Sequence, residues 1–397
     1  MFNFREWNSF YVLRMKKYLP ILAVFLLFNC KSEPKKNRII KSNVFKSIEI
    51  PINEDFAPKK IRTQYFFSDS GQYLAIQNKV NFEIGIFNLD SKKLAHIIPL
   101  QKQGPNGVGL NNGFEILSQD CVLIASIPPR IHFLNFAGNK KSSLAIDDPE
   151  NKANYLAATN ETPLLFSENS LYGIQPYFQD LYRTSESDLK KSKPIFKLNF
   201  GGKIAKLNWL SIFRPEDEWE EGKKSPDVSW AHNGDTIIVS PQLDHKFWIV
   251  SKSQEKVIGY KTAKSNKING FRIIEGYPNG DEEIIKDLKN GRYEALLYDS
   301  YRKVFYRFFY SEIDWENYNL TPRQLLQNHS KVGVLVLNQD LEIMGEHHFG
   351  TNYVQTWNYF VGKKGLYIST NNPNRDDFDE NFLKYDIIRF EGLNYED

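Results

Sequence analysis

Three observations in the sequence point to an all-β protein. From residue 64 onward, short runs rich in Val, Ile, Tyr, Phe and Trp alternate with Gly, Asn, Asp and Ser turns, and helical periodicity is nearly absent. Aromatic residues make up 14% of the 397-residue chain, with 29 Phe and 21 Tyr against 3 Met, and such flat side chains suit half-buried pleated surfaces. Hairpins of one form recur: an aromatic-rich strand, a short turn, then an aliphatic strand. Their turn residues Gly71, Asp120 and Asn169 fall at equal intervals of 49 residues.

These hairpins lie at residues 64–76, 114–124, 164–172, 228–238 and 359–368, and second hairpins follow at 82–98, 131–146 and 247–260. Two hairpins make a four-stranded unit. A period near 50 for such a unit predicts a six-bladed β-propeller with four-stranded antiparallel blades, an arrangement that leaves only short, protected edges. The blades are expected near 64–100, 114–147, 163–200, 227–262, 292–349 and 353–391. The last has three strands of its own, so a strand at residues 47–52 is expected to close it from the N-terminal side. Two stacked β-sandwich domains are the alternative architecture.

The N-terminal residues read as a targeting segment. Met15-Lys16-Lys17 precedes an uncharged stretch from Tyr18 to Phe28, a basic region followed by a short apolar one, as in a signal peptide. That stretch is too short for a membrane span, which needs about 20 residues. It ends in Leu27-Phe28-Asn29-Cys30, which resembles the lipobox ahead of a lipidated cysteine, in a relaxed form similar to that of Bacteroidetes lipoproteins. The expected organisation is a signal peptide at 1–29 with its true start at Met15, and a tether at 30–43 lipidated on Cys30. The propeller domain follows at 44–392, with a short tail at 393–397.

The chain carries 51 basic and 48 acidic residues, and residues 1–29 hold four of the former and one of the latter. Without the leader the net charge is zero. Nucleic-acid binding by bulk electrostatics is thereby disfavoured. The single cysteine besides Cys30 is Cys121, so no intramolecular disulfide and no cysteine-type metal site is expected. Its apolar neighbours Val122, Leu123 and Ile124 predict a small core residue.

The passage Gln101-Lys-Gln-Gly-Pro-Asn-Gly-Val-Gly109 resembles the Gly-Pro-rich blade-to-blade loop of the six-bladed propeller lipoproteins of Bacteroidetes, many of them domains of unknown function. Residues 298–307, with Tyr298, Arg302 and Arg307, resemble an aromatic and arginine-rich strand pair of one such family. The resemblance covers about residues 44–392. It implies the propeller fold and a cell-envelope location, lipid-anchored at the outer membrane, and it supplies no catalytic residue.

In a propeller, the loops between each blade's second and third strands open on one face around the axis, together with the connections between blades. Four such loops, from four blades, carry Arg130, Tyr177, His245 and Arg375, which are taken as the candidate ligand-binding set. Forked arginine donors suit carboxylates or hydroxyls, and a tyrosine offers a flat wall. Asp376, Asp377 and Asp379 supply hard oxygen ligands for calcium, although their spacing is not that of an EF-hand. No other cofactor is expected. His347 and His348 point to opposite faces of a strand and cannot share an ion. Thr321-Pro322 predicts the start of a short helix in an insertion, 311–330, in which Trp315 and Tyr318 would cap a pocket.

The expected function is a lipid-anchored, extracytoplasmic binding or interaction module, monomeric, for a small molecule, a glycan or an envelope protein. The alternative is a propeller enzyme of lyase or lactonase type, calcium-dependent, using the axial face.

Overall fold

The computed structural model describes residues 36–395 except 151, 168–169 and 176–179. Cys30, Met15 and Tyr177 therefore lie outside the described residues. Among the described residues no helix is long and apolar enough to cross a membrane.

The first strand, β1 (Ser42–Pro51), is followed by an antiparallel sheet of β2 (Pro58–Ser68), β3 (Gly71–Asn78), β4 (Glu83–Asn88) and β5 (Lys93–Pro99). Next come β6 (Leu110–Ser118), β7 (Cys121–Ile127), β8 (Arg130–Leu134) and β9 (Lys140–Asp147), then β10 (Leu165–Ser167), β11 (Ser170–Ile174), β12 (Ile195–Gly201) and β13 (Ile204–Trp209). Two further four-stranded sheets hold β14 (Val228–Asn233), β15 (Thr236–Pro241), β16 (Lys246–Ser251) and β17 (Lys256–Thr262), and β18 (Arg292–Asp299), β19 (Val304–Tyr310), β20 (Val332–Leu337) and β21 (Ile343–His348). The last sheet has β22 (Tyr359–Gly362), β23 (Gly365–Ser369) and β24 (Phe382–Phe390), with β1 on its outer edge.

The fold is thus all-β, a propeller-like arrangement of four-stranded sheets. Six separate sheets were expected, and among the described residues five are found: four of four strands and one of eight. The eight-stranded sheet arises because the outer strands β9 and β13 pair in parallel, Ile204 opposite Ala145 and Lys206 opposite Asp147. The outer strands β9 and β13 run the same way, so the short ladder between them is parallel.

The expected closing strand is present and longer than its pattern suggested. It pairs antiparallel with β24 from Ser42 opposite Phe390 to Pro51 opposite Phe382. Alternation explains the fit: Ile48 and Ile50 are buried while Ser47 and Glu49 face out. Folded structure begins ahead of the expected boundary at 44, since Ile40 is buried and its amide donates to the Glu346 carbonyl. At the other end Tyr395 accepts a hydrogen bond from the Phe390 amide, which ties the expected tail to the last sheet.

Core residues form clusters that lie between sheets as well as within them: Phe308 and Tyr359, from neighbouring sheets, stack at 3.9 Å. Close backbone approach is built from glycines under aromatic rings. Opposite Phe196 and Phe309 stand Gly173 and Gly333, where a Cβ would lie 2.1 and 2.2 Å from the ring. Cys121 is half-buried rather than in the core, because it opens β7 beside an exposed turn.

The helix predicted from Thr321 is present at Pro322–Gln327, with a capping box between Thr321 and Gln324. The aromatics ahead of it, Trp315 and Tyr318, pack on a small cluster. Leu325 packs with Ile313 and with Leu288 of a second helix, Gly280–Leu288, and Trp315 and Tyr318 join that small cluster.

Candidate binding site on the axis

The inner strands β2, β6, β10, β14, β18 and β22 all contribute to one axial cavity of about 480 Å³. A single segment crosses the axis above it. Asn160 accepts from the Thr63 amide at 2.8 Å and donates to the Trp357 carbonyl at 2.9 Å, while its own amide donates to the Ile61 carbonyl. One residue on, the Glu161 carbonyl accepts from the Trp230 amide, and the Pro163 carbonyl accepts from the Trp230 indole at 2.8 Å. Ala158 pairs with Gly113 of β6. Residues 158–163 therefore touch the inner strands β2, β6 and β14 and the residue Trp357 just ahead of β22, and form a crosspiece. The strand that follows this connection, β10, is three residues long.

The crosspiece divides the axis. Asn160 and Pro163 face the cavity just described, which reaches the turn residues Asn233, Gly234 and Ser300, so its mouth lies among the first-to-second-strand turns. Thr159, Glu161 and Thr162 face the opposite side, the face with the second-to-third-strand loops, where a cavity of about 390 Å³ also takes in Tyr155, Asp227 and Gln242. Asp227 and Gln242 line a third cavity too, about 340 Å³, with Tyr182, Arg272, Asp287, Arg292 and Glu294.

Charge is concentrated on that upper side. Glu294 lies 3.5 Å from Arg292 and 3.7 Å from Lys60. Burial raises the Glu161 carboxyl above its ordinary range, and the Glu294 carboxylate pushes it further up. Arg272 is paired with Glu283 and Asp287. The tyrosines Tyr182 and Tyr277 stack at 5.8 Å beside the third cavity, with Arg183 donating to the Tyr277 hydroxyl.

The three described residues of the expected ligand-binding set, Arg130, His245 and Arg375, stand at the corresponding loop positions but share none of the axial cavities. Arg130 opens β8 and is exposed. His245, between β15 and β16, is half-buried: it contacts Phe271 at 4.7 Å, hydrogen-bonds the Tyr293 hydroxyl at 2.7 Å, and burial lowers its pKa to about 3. Arg375 is held at 2.6 Å by both carboxylate oxygens of Asp377, which raises its pKa. The axial cavities are lined by none of these three. These residues do not converge: Arg375 is held by its near neighbour Asp377, and His245 by Phe271 and by Tyr293 of the adjacent sheet.

The acidic loop is likewise engaged internally. Asp377 serves Arg375, and Asp379 accepts from the Asn381 amide and side chain at 3.0 and 2.9 Å, which holds its carboxyl below the usual range. Among the described residues no group of three or more His, Cys, Asp or Glu side chains is placed to hold a metal ion.

Sequence reasoning missed Arg307, a fully buried cation without a carboxylate partner. It donates to the carbonyls of His245 and Ala263 at 3.1 Å, Pro241 at 3.0 Å and Asp244 at 2.7 Å, between the rings of Tyr293 and Phe247. Burial lowers its pKa to about 10. This one side chain fixes the β15–β16 loop and the strand exit at Ala263. An arginine inside an otherwise apolar strand, Val304–Tyr310, was the available signal.

Fold and axis together define a propeller-like all-β protein with a partitioned centre. The chain belongs to the family described as a domain of unknown function (DUF4221), whose model matches residues 41–348. A DUF4221 member from Bacteroides vulgatus ATCC 8482 is similar in structure, with a TM-score of 0.77 at 24% identity over 90% of this chain and 99% of that one. A protein of Bacteroides fragilis NCTC 9343 is similar at a TM-score of 0.53 and 9% identity, over 90% and 98% of the two chains. No curated protein matches.

Proposed function

We propose that the protein is a lipid-anchored extracytoplasmic binding module of six blades that takes a small polar ligand bearing a positive group at the upper axial mouth. The six-blade reading treats the eight-stranded sheet as two antiparallel meanders, β6–β9 and β10–β13, joined by the short ladder between β9 and β13. It is supported by the six inner strands that line one cavity.

The observation that carries the ligand class is the charge balance where the two upper cavities meet. Asp227, Glu161 and Glu294 gather there, while the nearby Arg272 and Arg292 are already engaged by carboxylates. An anion would find no uncommitted guanidinium; an amine would find Asp227, with tyrosine faces alongside. Titration with glucosamine against its neutral N-acetyl derivative tests this. Glucosamine should bind the more tightly and lose about tenfold on Asp227→Asn, the size of one charge-assisted contact. Equal binding of both sugars, or no effect of the substitution, would refute the reading. Anchoring rests on Cys30: a Cys30→Ser chain should leave the membrane fraction, and unchanged partitioning would count against a lipid.

A further inference from the structure

We infer that the crevice between the unit β10–β13 and the sheet β14–β17, at the end where their first-to-second-strand turns lie, is a second binding site, for a small hydroxylated carboxylate of sugar-acid size. Strand register builds one wall. Ser167 pairs with Ser170 and Ser170 with Asn199, while Tyr172 pairs with Lys197 two residues further in. Period-two alternation therefore puts Ser170 and Tyr172 on the same face as Asn199 and Lys197. The facing turns supply the other wall, with Asp235, Lys252 and Ser253. Together these residues line a cavity of about 360 Å³, within the usual range for small-molecule pockets. The Tyr172 hydroxyl bridges the two walls by donating to the Lys252 carbonyl at 3.2 Å.

The recognising group is Lys252. It is 9% exposed, and among the described residues its ammonium has neither a hydrogen-bond partner nor a carboxylate within ion-pair reach. That nitrogen keeps accessible surface, and Lys252 lines this cavity but none of the axial ones. The other charges of the walls are already taken. Asp235 accepts from the Ser251 and Ser253 hydroxyls at 2.8 and 2.9 Å and from the Ser253 amide at 2.9 Å, bonds that hold its carboxyl below the usual range. Lys197 is paired with Glu255 at 2.7 Å. A buried cation without a counter-charge is costly, so a ligand bringing one negative charge gains most here, and one ammonium suits one carboxylate. The Ser167 hydroxyl and the Asn199 side chain, without hydrogen bonds among the described residues, are left to meet ligand hydroxyls. An amine would be repelled by Lys252, so this crevice and the upper mouth select ligands of opposite sign.

The test is calorimetric titration of the full chain with glucuronate, galacturonate and gluconate, and with glucose as the neutral counterpart. At least one acid should bind, and glucose should bind more weakly. Lys252→Met keeps side-chain length and removes the unpaired charge, so acid binding should fall about tenfold while the melting temperature stays level or rises, and lost binding cannot be laid to unfolding. Asn199→Ala, at an exposed position, should weaken acid binding about threefold. Asp227→Asn should leave acid affinity unchanged, and since the upper mouth is read with glucosamine, the two sites fail or stand separately. The inference is overturned if no acid binds, if glucose binds as tightly, if Lys252→Met binds like the parent chain, or if Asp227→Asn abolishes acid binding.

Discussion

In the sheet β18–β21 the inner strand runs for eight residues, Arg292–Asp299, and its neighbour β19 is buried at all seven positions. In the unit β10–β13 the inner strand has three residues, and the chain ahead of it crosses the axis instead. Both regions satisfy buried backbone groups next to the centre, by different means. Where the strands are long, the ladder does most of it and a single cation, Arg307, gathers four carbonyls of the adjacent sheet. Where the strand is short, the Asn160 amide does the equivalent work across the ring, reaching Thr63 and Trp357.

The largest effect that would break this comparison is expected at Arg307. Replacing it with methionine keeps length and apolar contact but leaves four buried carbonyls without their donor. The loss should be about 3–5 kcal/mol, read as a fall in the denaturation midpoint at constant slope. Arg307→Lys should recover only part, because an ammonium cannot reproduce the planar fork. Wild-type stability in the methionine variant would mean that the loop is held by its own sheet.

Gly113 tests the other region. It sits at a φ of 112°, and a Cβ there would lie 2.0 Å from the Ala158 carbonyl oxygen, so alanine must displace the crosspiece. A loss of about 2–3 kcal/mol is expected, somewhat below that at Arg307, because the crosspiece retains its Asn160 bonds. Glucosamine binding at the upper mouth should weaken in this variant; unchanged binding would show that the crosspiece is not a wall of that site.

The smallest effect is pH-dependent and belongs to the long-strand region. His329 is buried against Tyr310 at 4.7 Å, and burial lowers its pKa from 6.5 to about 3. The folded state therefore holds this ring neutral while the unfolded chain takes up a proton below pH 6.5. Its contribution is fully present above that pH and is lost toward pH 3, at about 1.4 kcal/mol per unit for a full proton of difference. His329→Gln should flatten the decline between pH 6.5 and 5, the window before carboxylates titrate, leaving the shares of His245 and His132, whose pKa values fall to about 3 and about 4. An unchanged slope would place the sensitivity elsewhere.

Much of the candidate site was illegible in the sequence, and the reason differs by residue. Arg375 had its neutralising partner two positions away in Asp377, so its loss as a free cation was a local fact that spacing alone did not reveal. His245 was correctly placed in a second-to-third-strand loop, but its environment depends on Phe271, Tyr293 and Arg307 from later in the chain. Asn160 carried no signal at all: a lone polar residue in a connection looks like any solvated loop until the ring closes around it.

By itself the sequence determined what short-range physics controls. Period-two alternation and turn residues specified the strands and their grouping in fours, the Ile48 and Ile50 pattern marked the closing strand, and Thr321-Pro322 marked a helix start. Each depends on residues a few positions apart. The tertiary structure alone decided the parallel join of β9 to β13, the carbonyl cluster around Arg307 and the crosspiece that partitions the axis. Those depend on groups as distant as the Asn160 side chain and the Trp357 carbonyl, whose meeting is an outcome of ring closure and leaves no local trace in either segment.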